Sequence, residues 1–142
     1  MRGSFCASDA RAQSCSITSV TSVAFGTYNV FDAAARLSSG GIVFECSGVQ
    51  PSDTVTIEIS GATDATVLRG MTAGSHVLRY QLYLDAARTI VWGTGAGGTA
   101  TYGPVLPADG VPTSVPIYGR VPARQDVGAG AYSDSLLVTL RL

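Results

Sequence analysis

Three cysteines, one histidine and ten carboxylates are the side chains of this 142-residue sequence most able to do chemistry. His76 opens an alternating apolar segment beside Ser75. It has no cysteine or carboxylate at ligand spacing, and a lone histidine in that setting is a structural residue. Glycoside hydrolysis needs two carboxyl groups facing one another across a bond. The two glutamates do not offer this: Glu45 alternates with core residues next to Cys46, and Glu58 points out of a strand. The eight aspartates fall mostly in turns, where the side chain bonds the local backbone. Asp126 and Asp134 flank the last turn and fit a solvated or capping role. No nucleophile elbow, phosphate loop, paired-histidine zinc motif or calcium loop is present. The sequence names no catalytic residue, no metal ligand set and no cofactor.

The cysteines carry a different chemistry. Cys6, Cys15 and Cys46 make an odd count, awkward for an exported chain. Ala10-Arg11-Ala12 before Gln13 has the form of a signal-peptidase site. Cleavage after Ala12 would remove Cys6 and leave an even pair. Residues 1–12 lack the apolar stretch a signal peptide needs. Either Met1 is an internal start with the signal upstream, or export follows another route. On this basis residues 1–12 are a processing remnant and residues 13–142 one domain. Cys6 and Cys15 both lack the context of a lipoprotein acylation site. A Cys15–Cys46 bridge would close a loop worth roughly 3–4 kcal/mol in the chain-entropy description; two reduced core thiols are the alternative.

The elements that would position these groups are strands. Charged residues are 13% of the chain and hydrophobic residues 46%, with 17 glycines and two glutamates, a composition that favours sheet over helix. Residues 54–60 place Val55, Ile57 and Ile59 on one face. Residues 77–84 do the same with Leu78, Tyr80, Leu82 and Leu84, and residues 113–121 with Val115 and Ile117. Residues 15–21, 41–46 and 89–92 read as further strands, and residues 23–30 as a strand passing a bulge at Gly26. Residues 32–40, 61–75 and 93–103 read as connections. Pro112 and Pro116 mark the start and an edge or bulge of their strand. Seven or eight short strands with turn signals between them indicate an all-β sandwich or barrel.

The last segment alternates too: Leu136, Val138, Leu140 and Leu142 share one face, and Leu137, Thr139 and Arg141 the other. The question it raises is which strand covers its other edge. Tyr132, after Gly128-Ala-Gly130, stands where a tyrosine corner would bond back to the preceding connection, an ordinary rim tyrosine being the alternative. Residues 93–107 and 67–71 place Tyr102, Val105, Leu106, Leu68 and Met71 in loops, either as contact tips or tucked under the sandwich end. The net charge of −1 argues against nucleic acid or an anionic membrane as partner. No apolar run approaches the length of a membrane-spanning helix.

Several segments in order resemble one family. They are Cys15-Ser-Ile, Phe25-Gly26-Thr27-Tyr28, Phe44-Glu45-Cys46, Tyr80-Gln-Leu-Tyr-Leu-Asp-Ala-Ala-Arg-Thr89, Val115-Pro-Ile-Tyr-Gly-Arg-Val-Pro122 and Gly130-Ala-Tyr-Ser-Asp-Ser-Leu-Leu-Val-Thr-Leu140. Over residues 13–142 the chain is similar to the spore coat protein U domain, shared with subunits of archaic chaperone–usher pili. The resemblance implies an incomplete immunoglobulin-like β-sandwich lacking its final strand, with Cys15 and Cys46 as the half-cystine pair. An acceptor groove would lie beside Leu136, Val138, Leu140 and Leu142. A periplasmic chaperone, the usher and neighbouring subunits would be the partners, each strand supplied by β-augmentation. The implied role is a secreted, non-enzymatic subunit of a pilus or spore coat, passing through the periplasm to the cell surface; an adhesive module at a fibre tip is the second possibility. Fibre-forming subunits carry a donor segment before the first cysteine. Cleavage after Ala12 would leave only Gln13 and Ser14 there. Residues 1–14, if kept, have Phe5 as their one large apolar residue, so the chain is expected to accept a strand more readily than to give one.

Overall fold

The computed structural model describes residues 2–4, 14–26, 31, 33–61, 68–125, 127, 128 and 131–142, of which residues 2–4 are described by their backbone. Cys6, the Ala10-Arg11-Ala12 site, Thr27, Tyr28, Asp126 and Gly130 lie outside these. Among the described residues nine strands form: β1 (Arg2–Ser4), β2 (Ser14–Thr21), β3 (Arg36–Ser47), β4 (Val55–Gly61), β5 (Arg69–Ala73), β6 (His76–Tyr83), β7 (Tyr102–Val105), β8 (Thr113–Val121) and β9 (Leu136–Arg141). They make two sheets, in the order β1-β9-β4-β7 and β2-β3-β8-β6-β5. The described residues contain no helix, so none is long and apolar enough to cross a membrane.

The alternating segments fold as their period requires. Val55, Ile57, Ile59, Val138 and Leu140 from the first sheet are buried. They meet Ile42, Phe44, Leu78, Tyr80, Leu82, Val115 and Ile117 from the second in one core. Trp92 is wholly buried and its indole N–H donates to the Ile57 carbonyl at 3.0 Å. Arg69 is as deeply buried and ties the layers together. Its Nε donates to Gln81 Oε1 at 2.9 Å, and a terminal nitrogen donates to the carbonyls of Trp92 at 2.7 Å and Ile59 at 3.3 Å. A buried cation is tolerable when such acceptors surround it.

Three segments expected to be connections are strands. β3 begins at Arg36 because a run of small residues pairs with β8 all the way to Val121; at Gly40 a Cβ would stand 2.3 Å from the Thr21 carbonyl oxygen, so glycine is what lets β2 and β3 close. β5 pairs with β6 from Arg69 to Ala73, its inner face holding Arg69 and Met71. β7 is a short strand on β4, with Tyr102 packed near Phe44 and Trp92. Conversely, residues 22–26 form no strand. They are fastened to β3 by side chains: Arg36 donates to the Phe25 carbonyl at 2.8 Å and Ser38 to that of Ala24 at 2.6 Å. The irregularity of this region falls in β2, between Ile17 and Ser19. Residues 89–92 contribute isolated bridges at Val91 and Trp92. Pro116 sits where β8 pairs with β3 but not with β6, whose register covers Tyr118 to Arg120.

The loop after β6 is locked by Asp85. Its Oδ1 accepts the amides of Thr89 and Ile90, both at 2.9 Å, and its Oδ2 accepts the Thr89 hydroxyl at 2.5 Å. Arg88 crosses the sheet from this loop, stacks over Tyr118 and donates to the carbonyls of Gly119 and Ser38. The Thr89 hydroxyl first, and then the backbone amides, hold the Asp85 carboxyl at about 2, below its ordinary 3.8. A carboxyl depressed in the folded state contributes stability that is complete above about pH 4 and is lost as pH falls toward 2.

Two outcomes are expected. Arg69→Ala, which strands buried acceptors and opens a cavity, should lower unfolding free energy by about 3–5 kcal/mol in urea melts; a loss under 1 kcal/mol would contradict the stapling role. In melts from pH 6 to pH 2, the gap between the parent chain and Asp85→Asn should narrow between about pH 4 and pH 2. A gap constant to pH 2 would contradict the depressed carboxyl.

Candidate functional site

The terminal strand β9 is joined to β4 along one edge at six positions, from Thr56 opposite Arg141 to Gly61 opposite Leu136. Its other edge carries β1, running parallel, with Arg2 opposite Leu137, Gly3 opposite Val138 and Ser4 opposite Thr139. Three residues of the chain's own N-terminal segment thus lie along the edge that the resemblance takes as the acceptor edge. The physical reason is that an edge of unpaired amides and carbonyls beside a core is costly unless something pairs with it. β1 also approaches β2, the outer strand of the second sheet, so it lies where the edges of the two layers meet.

At the start of β9, bordered by Leu136, lies an open cleft of about 450 Å³. Residues 22–26 form one wall and residues 131–134 with Leu136 the other, with Met71, Tyr80 and Leu82 between them. Phe25 is buried edge-on to Tyr80, ring centres 6.1 Å apart. It occupies the space above Gly119, where a Cβ would lie 2.6 Å from the ring. Ser133 exchanges two backbone bonds with Thr72 on β5, at 2.8 and 3.1 Å. The chain therefore leaves the outer strand of one sheet at Ser133 and enters the other at Leu136, bridging the layers beside the cleft.

Tyr80 donates to Asp134 Oδ2 at 2.6 Å. Burial first, and then this carboxylate, push the phenol well above its usual range, so Tyr80 stays a hydrogen-bond donor. The Tyr132 hydroxyl donates to the Gly128 carbonyl at 2.5 Å, a bond back into the preceding connection.

The residues singled out from sequence are distributed as follows. Leu136, Val138 and Leu140 line the inner face of β9 and are buried. Leu142 lies past the strand end and is 38% exposed. Cys15 and Cys46 stand directly opposite one another on β2 and β3 and form a disulfide, Cα atoms 4.1 Å apart. His76 is exposed at the start of β6. Glu58 forms an ion pair with Arg141 at 3.1 Å, far from Glu45 on the other sheet. Among the loop residues, Met71 is buried, Tyr102 and Val105 pack on the core, and Leu68 and Leu106 are exposed. Among the described residues no three histidine, cysteine or carboxylate side chains gather as a metal site. Sequence reasoning missed the pairing of β1 and the cleft wall from Phe25 to Leu82. β1 has no alternation to announce it, and the wall assembles from four separate segments.

The sequence profile of the Spore Coat Protein U domain matches residues 1–139. Protein U of Myxococcus xanthus is 35% identical over 118 residues, which are 82% of this chain and 59% of that protein. The chain thus spans less than two thirds of that relative's length.

Cys15→Ala with Cys46→Ala should lower stability by roughly 3–4 kcal/mol, and the oxidised parent should weigh two hydrogens less than its reduced form across these two residues. Free thiols at both positions would refute the bridge.

Proposed function

The chain belongs to the Spore Coat Protein U domain family, and from that membership we propose that it is a non-enzymatic structural subunit of a bacterial surface assembly, a chaperone–usher pilus or a spore coat. Its role is to accept a strand. The observation that carries this reading is the asymmetry of β9 among the described residues: one edge bonded to β4 over six positions, the other to β1 over three. A full-length strand supplied by a periplasmic chaperone, and later by a neighbouring subunit, would complete the edge and extend over the apolar cleft at Leu136. Read in immunoglobulin terms, β9 is the last strand of an incomplete sandwich, and the supplied strand is the missing one. Export to the periplasm fits the Cys15–Cys46 disulfide, which persists in an oxidising compartment.

A second reading, an adhesive module, is favoured by Leu106 and Val111, both more than half exposed in the connection between β7 and β8. Apolar side chains at such a tip can contact another surface.

Hydrogen exchange separates the two. In a complex purified with a co-expressed periplasmic chaperone, new amide protection should concentrate in residues 136–142. Protection confined to residues 104–112, or no complex at all, would count against the strand-acceptor role.

A further inference from the structure

We propose that β1 is a displaceable internal plug: it holds the free edge of β9 in the isolated chain and must leave before another strand can pair there. This rests on the strand-acceptor reading above and adds a competitor built into the same chain. A strand edge has room for one partner, because neighbouring strands lie at a single fixed spacing of about 4.8 Å. β1 and an incoming strand are therefore mutually exclusive at Leu137, Val138 and Thr139.

β1 is built to be weak. Among the described residues it spans three, Arg2-Gly3-Ser4, against the six that β4 pairs on the opposite edge. Its pairing is parallel, the less stable arrangement per residue. None of its residues is a good strand former, and glycine loses the most backbone freedom on ordering. Its pairing begins at Leu137, one residue after Leu136, which borders the cleft with Phe25, Met71 and Leu82. Its described residues, Arg2-Gly3-Ser4, satisfy part of the backbone edge and include no large apolar side chain. A strand with larger apolar residues that also reaches Leu136 does both, and wins. Until it arrives, the plug blunts an edge that would otherwise pair with any exposed strand. The plug also lowers apparent affinity for every incoming strand by the fraction of chains in which it is seated.

The test uses the full chain and a fluorescein-labelled nine-residue peptide of alternating valine and threonine, followed by anisotropy. Gly3→Pro, which disfavours strand geometry in β1, should bind the peptide about tenfold more tightly than the parent. Arg2→Val with Ser4→Val, which raises the β propensity of the same segment, should bind it several-fold more weakly. Equal or reversed affinities across the three chains overturn the plug while leaving the strand-acceptor reading standing. No binding by any of the three overturns the acceptor reading and the plug with it.

Discussion

A strand whose inner face is locked into a core cannot leave its backbone edge unattended. β9 is such a strand: Val138 and Leu140 are almost fully enclosed between the sheets, and β4 holds one side along its whole length. The polar groups of the remaining edge must find partners in this chain, in another chain or in water. Among the described residues, the three of β1 take up that duty. The proposed strand-acceptor role follows from this edge, because a partner that supplied a longer strand would gain both backbone bonds and apolar contact.

The rest of the fold keeps that edge rigid. Arg69 and Trp92 fix the spacing of the layers through carbonyls of β4 and of the segment after β6. The disulfide pins β2 to β3, so the outer strand of the second sheet stays near β1 and β9. Segments 22–26 and 131–136 form the walls of the cleft, and each is tied down: the first by Arg36 and Ser38, the second by the Ser133–Thr72 bonds and the Tyr80–Asp134 contact. The proposed docking site, placed between well-anchored segments, would lose little freedom on binding a strand.

Strands that bury one face in a continuous core were legible in the sequence. β4, β6, β8 and β9 declare themselves through alternation at Val55–Ile59, Leu78–Leu82, Val115–Ile117 and Leu136–Leu140. The cysteine pair and the family resemblance were legible too. β5 was not, because its inner face combines an arginine with a methionine, and a buried cation breaks the hydrophobic pattern. The first half of β3 was hidden by its Ser and Gly residues, which pair through the backbone and need no side-chain signal. β7 was hidden in the same way by Gly103 and Pro104. Leu142 continued the alternation on paper, yet the strand ends at Arg141 and the residue turns to solvent. β1 was the least legible element, since its place depends on the edge it covers and not on its own composition.

Amide hydrogen exchange resolved by NMR at Leu137, Val138 and Thr139 tests the central claim most directly, in the parent chain and in Gly3→Pro. One or more of these amides should exchange markedly faster in Gly3→Pro, while Ile57 and Ile59 on β4 keep their protection. Identical exchange at all three β9 positions in the two chains would mean that β1 does not hold this edge, and would contradict its role as a plug.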